Sequence, residues 1–270
     1  MKRLVLGILA TLALVACDQQ QAGEPVIRTE IGKGSEEMAA ARRALSPCTL
    51  VTFEDVPLTH CIADPAKHSI RTVLSDEEGK PFRSLRALGE DLGDKALNVE
   101  FATNAGMFDE EGKPIGYYVE HSERLKLLNR ADGPGNFHLK PNGVFFGTGE
   151  KWEIRTADNF YANVGDRPEF GTQSGPMLVI NGQLHPEIQD NGPSRTIRNG
   201  VGVDAQGRAH FVISNGPLSF GQLARFFRDE LKTPNALFLD GNVSSLWIPV
   251  TERLDSGAPI GPMIVVELKE

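Results

Sequence analysis

Short apolar runs that end in turn residues limit most strongly what this chain can fold into. Such runs lie at residues 97–103, 144–146, 177–180, 209–214 and 236–239. Each is shorter than the roughly 10 residues expected of a core helix. The 28 glycines and 17 prolines supply frequent turns between the runs. The pattern predicts a single strand-rich α+β domain, with few helices packed on a mixed sheet.

One segment has the period of a helix instead. Ser219 is placed to cap it, and Gln222 follows three residues later, which is the spacing of a capping box. The segment then carries an apolar stripe formed by Phe220, Leu223, Phe227 and Leu231. These aromatic residues are expected in the core rather than in a ligand site.

The N-terminus resembles a bacterial lipoprotein export signal. Lys2 and Arg3 precede an apolar run over residues 4–16, which is too short to span a bilayer as a permanent helix. The run ends directly before Cys17, as in a lipobox, where the cysteine is lipidated and becomes the new N-terminus. Asp18 resembles a signal for retention in the inner membrane. An ordinary secretory signal with a chance cysteine is the alternative.

The expected organisation is a signal peptide over residues 1–16, a flexible tether over 17–46 and a folded domain over 47–270. The tether has no apolar period. We expect an exported protein that is anchored by its lipid on the periplasmic side of a membrane. Because the signal peptide takes Lys2 and Arg3 with it, the formal net charge moves from −8 to −10. So acidic a protein is a poor partner for nucleic acid.

Cys48 and Cys61 are predicted to form a disulfide, since both meet an oxidising compartment after export. Strand-like segments at 49–53 and 58–62 flank Pro57, so the bridge would pin a hairpin. Closing a loop of this size stabilises by about 3 kcal/mol. A metal pair is the alternative, but no CxxC spacing or close histidine pair supports it. The six histidines form no HExxH-type cluster, so no metal or other cofactor is predicted.

Polar and small residues stand together where four of the expected strands begin or end. The segments are 104–106, 173–176, 195–198 and 240–245. Small residues let a ligand approach the backbone, and the polar side chains offer hydrogen bonds. A single such segment is as readily a turn, so the case rests on all four together.

These segments also carry a family resemblance. The motifs at 104–108, 142–146, 174–179, 198–202 and 240–245 occur in the order of those of the phosphodiester glycosidase family. The resemblance covers roughly residues 99–250. Asn242 stands where that family often has glycine, and Asn199-Gly200 stand where it often has Thr-Ala. The resemblance implies cleavage of a sugar–phosphodiester bond on the glycosyl side.

The resemblance and the chemistry of the residues assign roles. Arg198 is expected to hold the phosphate and Asp240 to act as nucleophile or general base. The plainer alternatives are an ion pair at a strand entrance for Arg198 and a turn cap for Asp240. The remaining candidate substrate contacts are Asn104, Gly106, Ser174, Gly175, Arg195, Gly241, Ser244 and Ser245.

Three functions fit the sequence. The first is hydrolysis of a glycosyl phosphate in the cell envelope, with an inverting or a retaining outcome left open. The second is a non-catalytic lipoprotein that binds a glycan or an anionic saccharide. The third is a phosphodiesterase that cleaves on the phosphate side.

Overall fold

The computed structural model of the protein describes residues 27–30 and 44–269. The predicted signal peptide, Cys17, Asp18 and most of the predicted tether lie outside the described residues. Residues Ile27–Glu30 of the tether form strand β1, which joins the edge of a sheet. This paired strand differs from the flexible tether predicted for these residues. The pairing forms because a sheet edge offers unpaired backbone groups to a neighbouring segment. The domain boundaries at residues 16 and 46 stay predictions.

Strands are the most frequent elements of the described chain. They are β1 (Ile27–Glu30), β2 (Cys48–Phe53), β3 (Val56–Ala63), β4 (His68–Val73), β5 (Val99–Asn104), β6 (Tyr118–Glu120), β7 (Glu123–Lys126), β8 (Gly143–Thr148), β9 (Lys151–Thr156), β10 (Phe170–Ser174), β11 (Met177–Ile180), β12 (Gln183–Leu184), β13 (Asn199–Val203), β14 (Ala209–Ser214), β15 (Asn235–Phe238), β16 (Leu246–Ile248), β17 (Arg253–Ser256) and β18 (Met263–Leu268).

Helical segments are few and short. The α-helices are α1 (Leu85–Leu92), α2 (Ala157–Asn163) and α3 (Phe220–Arg225), and α3 continues as a π-helical turn over Phe226–Glu230. Single 3-10 turns lie at Gly93–Asn98, Asn136–His138, Gly241–Val243 and Pro249–Thr251.

The strands form three sheets. Their orders are β1-β17-β16-β5-β18-β4, β7-β6-β10-β8-β9 and β12-β11-β15-β13-β14-β3-β2. The α+β class is therefore confirmed. The single mixed sheet is wrong, since every strand pair in the described part of the chain is antiparallel. Tight hairpins such as β8–β9 and β13–β14 favour this arrangement, because a parallel pair needs a long crossover between its strands.

Three buried phenylalanine rings join the sheets at the centre of the domain. Phe101 belongs to the first sheet, Phe145 to the second and Phe211 to the third. The ring centroid of Phe211 lies 5.3 Å from that of Phe101 and 5.8 Å from that of Phe145, both in edge-to-face contact. Burying one such ring contributes about 1.5–3 kcal/mol. The three sheets thus share one core.

Helix α3 covers one face of the third sheet, where Leu223 packs in a cluster with Leu178 and Val212. The capping box is confirmed: the Ser219 hydroxyl accepts from the Gln222 N–H (3.2 Å), and Gln222 Oε1 accepts from the Ser219 N–H (3.0 Å). The π-helical turn that follows was not predicted. It lets the adjacent side chains of Phe226 and Phe227 both be buried.

The predicted disulfide is confirmed. The Sγ atoms of Cys48 and Cys61 are 2.04 Å apart, and the bridge joins β2 to β3. The hairpin tip is not at Pro57, which lies within β3. It lies at Glu54 and Asp55, which both have positive φ angles (44° and 63°). Aspartate tolerates this left-handed backbone better than most residues, which makes the position suited to a turn.

Candidate active site

Two neighbouring strands of the third sheet place Arg198 and Asp240 at the same edge of the fold, where one strand begins and the other ends. Gly200 of β13 pairs with Phe238 of β15, and the Leu239 N–H donates to the Asn199 carbonyl (3.2 Å). Arg198 immediately precedes the paired residues of β13, and Asp240 follows those of β15. Because the strands are antiparallel, the start of β13 lies beside the end of β15. The two residues therefore stand opposite each other on adjacent strands.

Asn104, at the end of β5, ties this edge to the first sheet. Its Nδ2 donates to the backbone carbonyl of Asp240 (2.8 Å). Its Oδ1 accepts from the Ser245 N–H and from Asn199 Nδ2, both at 2.9 Å. The Asp240 N–H in turn donates to the Ala105 carbonyl (3.2 Å). The Asn104 carboxamide thus holds the backbone of Asp240, and its expected contact with substrate stays a prediction.

The turn after Asp240 uses its own hydroxyls. Ser244 Oγ lies 2.9 Å from the Gly241 carbonyl and 3.2 Å from Asn199 Oδ1, and its single proton goes to one of them at a time. Ser245 Oγ donates to the Val243 carbonyl (2.8 Å). Both serines are buried. In this arrangement they shape the turn, and their role as substrate contacts stays a prediction.

The Asp240 carboxyl is half-buried at this edge. Burial raises its pKa from the usual 3.8 to about 6, and a hydrogen bond from the Asn242 N–H opposes part of that rise. A carboxyl with a pKa near neutrality can exchange protons with a substrate or a water at physiological pH. That property suits a general base, and the ionised form suits a nucleophile.

Arg198 is a buried cation that the described part of the chain leaves without a carboxylate partner. Its Nε donates to the Leu218 carbonyl (3.1 Å), and its Nη2 donates to the carbonyl (3.1 Å) and hydroxyl (3.0 Å) of Ser194. The guanidinium lies 3.6 Å from the ring centroid of Phe220 and 5.6 Å from that of Phe238.

This environment leaves the Arg198 charge available to a ligand. Nη1 makes no hydrogen bond to any residue that the structure describes. Burial lowers the pKa of Arg198 to about 10, so the side chain stays protonated at neutral pH. The alternative of an ion pair at the strand entrance finds no partner within residues 27–30 and 44–269. An anionic ligand would supply the missing counter-charge.

Gly106, Ser174 and Gly175 line a crowded contact between the first and second sheets. A Cβ on Gly106 would lie 2.1 Å from the Gln173 carbonyl oxygen, and one on Gly175 would lie 2.7 Å from Asn142 Cβ. Both positions therefore require glycine for close packing. Ser174 Oγ is buried without a hydrogen-bond partner in the described chain. The role of these three residues in substrate binding stays a prediction.

Arg195 contacts the start of helix α3. Its Nη1 donates to Gln222 Oε1 (2.6 Å), in the capping box of α3. The described contacts do not join Arg195 to Asp240 or Asn104. Its predicted phosphate contact thus has less structural support than that of Arg198.

A cavity of about 240 Å³ lies next to the start of β8. Arg130, Lys140, Asn142 and Asp158 border it, whereas Asp240 and Arg198 do not. The polar groups of its wall are already paired, Arg130 with Asp158 (2.9 Å) and Lys140 with Asp132 (2.6 Å). The cavity therefore gives no independent evidence for a ligand.

Two further features bear on cofactors and membranes. Within residues 27–30 and 44–269, histidine, cysteine and carboxylate side chains form no group of three that could hold a metal ion. Among the described helices, none has the length and apolar character needed to cross a bilayer.

Two contributors to the site were missed from the sequence. Asn199 links Asn104 to Ser244, and Phe220 stacks on the Arg198 guanidinium. Asn199 directly follows Arg198, so its place in the motif was a usable signal. Phe220 carried no such signal, because its apolar spacing indicates only a core position.

Comparison with known proteins places this chain in a family. The phosphodiester glycosidase (NAGPA) family model matches residues 97–267. The chain belongs to the phosphodiester glycosidase family. It is also 34% identical over 206 residues to the uncharacterized protein YigE of Escherichia coli (strain K12), and the match covers 76% of this chain and 80% of that relative.

Solved structures agree with the family fold. The catalytic domain of zebrafish N-acetylglucosamine-1-phosphodiester alpha-N-acetylglucosaminidase, auto-inhibited by its pro-peptide, matches with a TM-score of 0.56 at 14% identity, over 90% of this chain and 88% of that one. A hypothetical protein from Synechocystis matches with a TM-score of 0.50 at 16% identity, over 82% and 61%. At these identities the likeness concerns the phosphodiester glycosidase fold alone.

Proposed function

We propose that this protein hydrolyses a sugar–phosphodiester bond on the glycosyl side, in the cell envelope. The observation that carries the proposal is the buried Arg198 guanidinium without a carboxylate partner among the described residues, opposite Asp240 on the adjacent strand. Membership of the phosphodiester glycosidase family supports the reaction class. The name of the zebrafish relative suggests an N-acetylglucosamine-1-phosphodiester as the first substrate to test.

In the proposed reaction, Arg198 holds the phosphate that leaves. The bond between the anomeric carbon and the phosphate oxygen breaks, and the oxygen keeps the electron pair. The group that leaves is a phosphate monoester, which is a good leaving group and needs little protonation. The guanidinium stabilises the negative charge that develops on it.

Asp240 supplies the other half of the reaction by one of two routes. As general base it takes a proton from the water that attacks the anomeric carbon. As nucleophile it attacks that carbon itself, and water then hydrolyses the glycosyl ester. With a pKa of about 6, Asp240 is still mostly ionised at neutral pH, as both routes require. No metal or cofactor enters either route.

The direct test is release of free sugar from glycosyl phosphodiesters by purified protein. Asp240→Ala and Arg198→Gln are each expected to lower kcat/KM by about a hundredfold or more. Exposed residues of α1 provide the matched controls Asp91→Ala and Arg86→Gln, which should retain wild-type rates. Unchanged substrate across a broad panel, with ligand retained in mass spectra, would favour the non-catalytic binding lipoprotein.

Labelled water separates the remaining enzymatic alternative. Hydrolysis on the glycosyl side places the oxygen of ¹⁸O-water on the released sugar. A phosphodiesterase that cleaves on the phosphate side would place it on the phosphate. Label on the phosphate would therefore replace our proposal with the phosphodiesterase reaction.

We also propose that the protein is exported and lipid-anchored through Cys17 on the periplasmic side, with Asp18 favouring the inner membrane. The lipobox-like sequence supports this location. The disulfide between Cys48 and Cys61 is consistent with an oxidising compartment.

A further inference from the structure

Arg83 has a backbone conformation that its residue type disfavours. It lies just before Ser84, the N-cap of α1, with a φ angle of 62°. A side chain in this left-handed region meets its own backbone, so glycine or asparagine is the usual choice there. Conformational strain of this kind persists at sites where another requirement fixes the residue.

The Arg83 guanidinium also lacks hydrogen-bond and ion-pair partners among the described residues. It lies over the ring of Phe108, 5.2 Å from the centroid, and its Nη1 is buried. A Cβ on Gly112 would lie in contact with that nitrogen, so the guanidinium packs directly on the Gly112 backbone. In the part of the chain that the structure describes, none of its N–H groups donates a hydrogen bond and no carboxylate pairs with it.

Backbone hydrogen bonds connect the segment of Arg83 to that of Asp240. The Arg83 carbonyl accepts from the Ile260 N–H (2.9 Å), and the carbonyl of Pro262, two residues on, accepts from the Ala105 N–H (2.8 Å). The Ala105 carbonyl accepts from the Asp240 N–H (3.2 Å). Arg83 and Asp240 are therefore separated by two neighbouring backbone segments.

Phe108 and its neighbour Met107 make different contacts. Phe108 packs beneath Arg83, whereas Met107 packs against the buried cluster that contains Phe238, one of the rings beside Arg198. The motif segment 104–108 thus contacts the Arg83 guanidinium and the cluster that includes Phe238. Arg83 and Arg198 each lack a carboxylate partner among the described residues.

We propose that Arg83 binds a second anionic group, a phosphate or a carboxylate, carried by the alcohol part of the phosphodiester. The substrate named in this inference rests on the proposed function. The anion site itself does not. Arg198 would hold the phosphate of the scissile bond, and Arg83 would select substrates whose leaving part carries a further negative charge.

The stability of one variant separates this role from a structural one. Arg83→Gly removes the unpaired guanidinium and relieves the left-handed backbone at the same time. We expect its Tm to equal or exceed that of the wild type. A clear fall in Tm would show that Arg83 serves the fold, and it would overturn the proposal.

Anion binding can be measured without any turnover. The Nε–Hε resonance of Arg83 is assigned by its loss in Arg83→Gln and followed while inorganic phosphate or acetate is added. We expect a saturable shift with at least one of the two anions. The anion that causes the larger shift shows whether the site prefers phosphate or carboxylate. A resonance that neither anion moves, even at large excess, would overturn the proposal.

Kinetics then test the role in substrate choice. The substrates share one sugar and differ in an alcohol part that ends in phosphate, in carboxylate or in a neutral hydroxyl. Arg83→Gln should raise KM for the matching charged substrate by about tenfold and leave the neutral one within about twofold. The control is Arg86→Gln, at an exposed position three residues further on.

The outcomes distinguish this inference from the proposed function. Equal behaviour of Arg83→Gln and Arg86→Gln on every substrate would overturn the Arg83 role and leave the glycosidase proposal standing. A shifted Arg83 resonance with no substrate cleaved would support the anion site and count against the glycosidase proposal.

Discussion

At the scale of single residues, Asp240 and Arg198 both carry a free-energy cost that the fold does not offset. Burial raises the pKa of Asp240 and lowers that of Arg198, so each charge is held where solvent stabilises it poorly. The described chain pairs neither of them with an opposite charge. Residues of this kind are typical of sites that meet a charged ligand.

The raised pKa of Asp240 predicts a pH-dependent gain in stability for Asp240→Asn. Ionisation of a carboxyl with a folded-state pKa of about 6 and a usual value of 3.8 destabilises the folded state. This cost is absent below about pH 4, grows between pH 4 and 6 and is constant above that range. The variant should therefore be more stable than the wild type by about 1–2 kcal/mol at pH 7.5 and equal to it near pH 4.

Urea unfolding of both proteins at the two pH values measures this difference. Asp91→Asn, at an exposed carboxylate of α1, is the control and should show no pH-dependent gap. An Asp240→Asn variant whose stability gap is the same at both pH values would contradict burial as the cause of the shifted pKa.

The same pKa predicts the acid limb of the activity profile. Asp240 must be ionised to act as base or nucleophile, so kcat/KM should rise about tenfold per pH unit below pH 6 and level off above it. The measurement is the pH profile of sugar release under non-saturating substrate. Activity that instead declines above pH 6 would assign Asp240 the role of general acid.

At the scale of elements, the start of helix α3 positions Arg198. The Leu218 carbonyl accepts from Arg198 Nε, Ser219 caps the helix, and Phe220 stacks on the guanidinium. The capping box is thus a support for the site as well as a helix signal. The turn at Gly241–Val243 directly follows Asp240. Asn104 donates to the Asp240 carbonyl and accepts from Asn199, so these two side chains hold the backbone of Asp240 in place.

Loss of the cap should therefore affect both stability and substrate binding. Ser219→Ala is expected to destabilise the protein by about 1 kcal/mol and to raise KM several-fold. Thr156 caps helix α2 through the Asn159 N–H (3.2 Å), so Thr156→Ala is the matched control. It should have a similar stability cost with KM unchanged. Equal KM values in the two variants would show that the cap does not position Arg198 for substrate binding.

At the scale of the whole molecule, three antiparallel sheets meet at one aromatic centre. Asp240, Asn104 and Arg198 come from strands of two different sheets, so the site exists only once those sheets are joined. The Cys48–Cys61 bridge holds β2, the edge strand of the third sheet.

The position of the whole molecule in the cell can be tested through Cys17. We expect the full-length protein to incorporate a labelled fatty acid and to sediment with membranes after export. Cys17→Ser should lose the label, because the thiol is the site of lipid attachment. Retained label in that variant would contradict the lipoprotein proposal, whereas a released soluble wild-type protein would favour an ordinary secretory signal.

Much of the site could be predicted because its signals are local. The sequence placed Asp240 at the end of an apolar strand, paired Ser219 with Gln222 in a capping box and joined Cys48 to Cys61. Each of these depends on residues a few positions apart, or on thiol chemistry in an oxidising compartment. The family motifs extended this by placing Arg198 and Asn104 in the same site.

Other properties of the site depend on contacts between distant segments. Ser244 and Ser245 turn their hydroxyls to the backbone, Asn199 completes the Asn104 cluster, and Arg195 turns to the helix cap. Hydrogen-bond partners of this kind are fixed by strand register and sheet order, which local periodicity does not encode.

The sequence suffices to predict the strand-rich class, the disulfide, the helix cap and the residues that the family motifs mark. The fold is needed to show that the sheets are antiparallel and that Arg198 lies without a carboxylate partner in the described chain. It is also needed to show that backbone hydrogen bonds connect the Arg83 segment to that of Asp240. The physical reason is that propensity and capping act over a few residues. Burial of a charge and the choice of its partner depend on which distant strands are brought together.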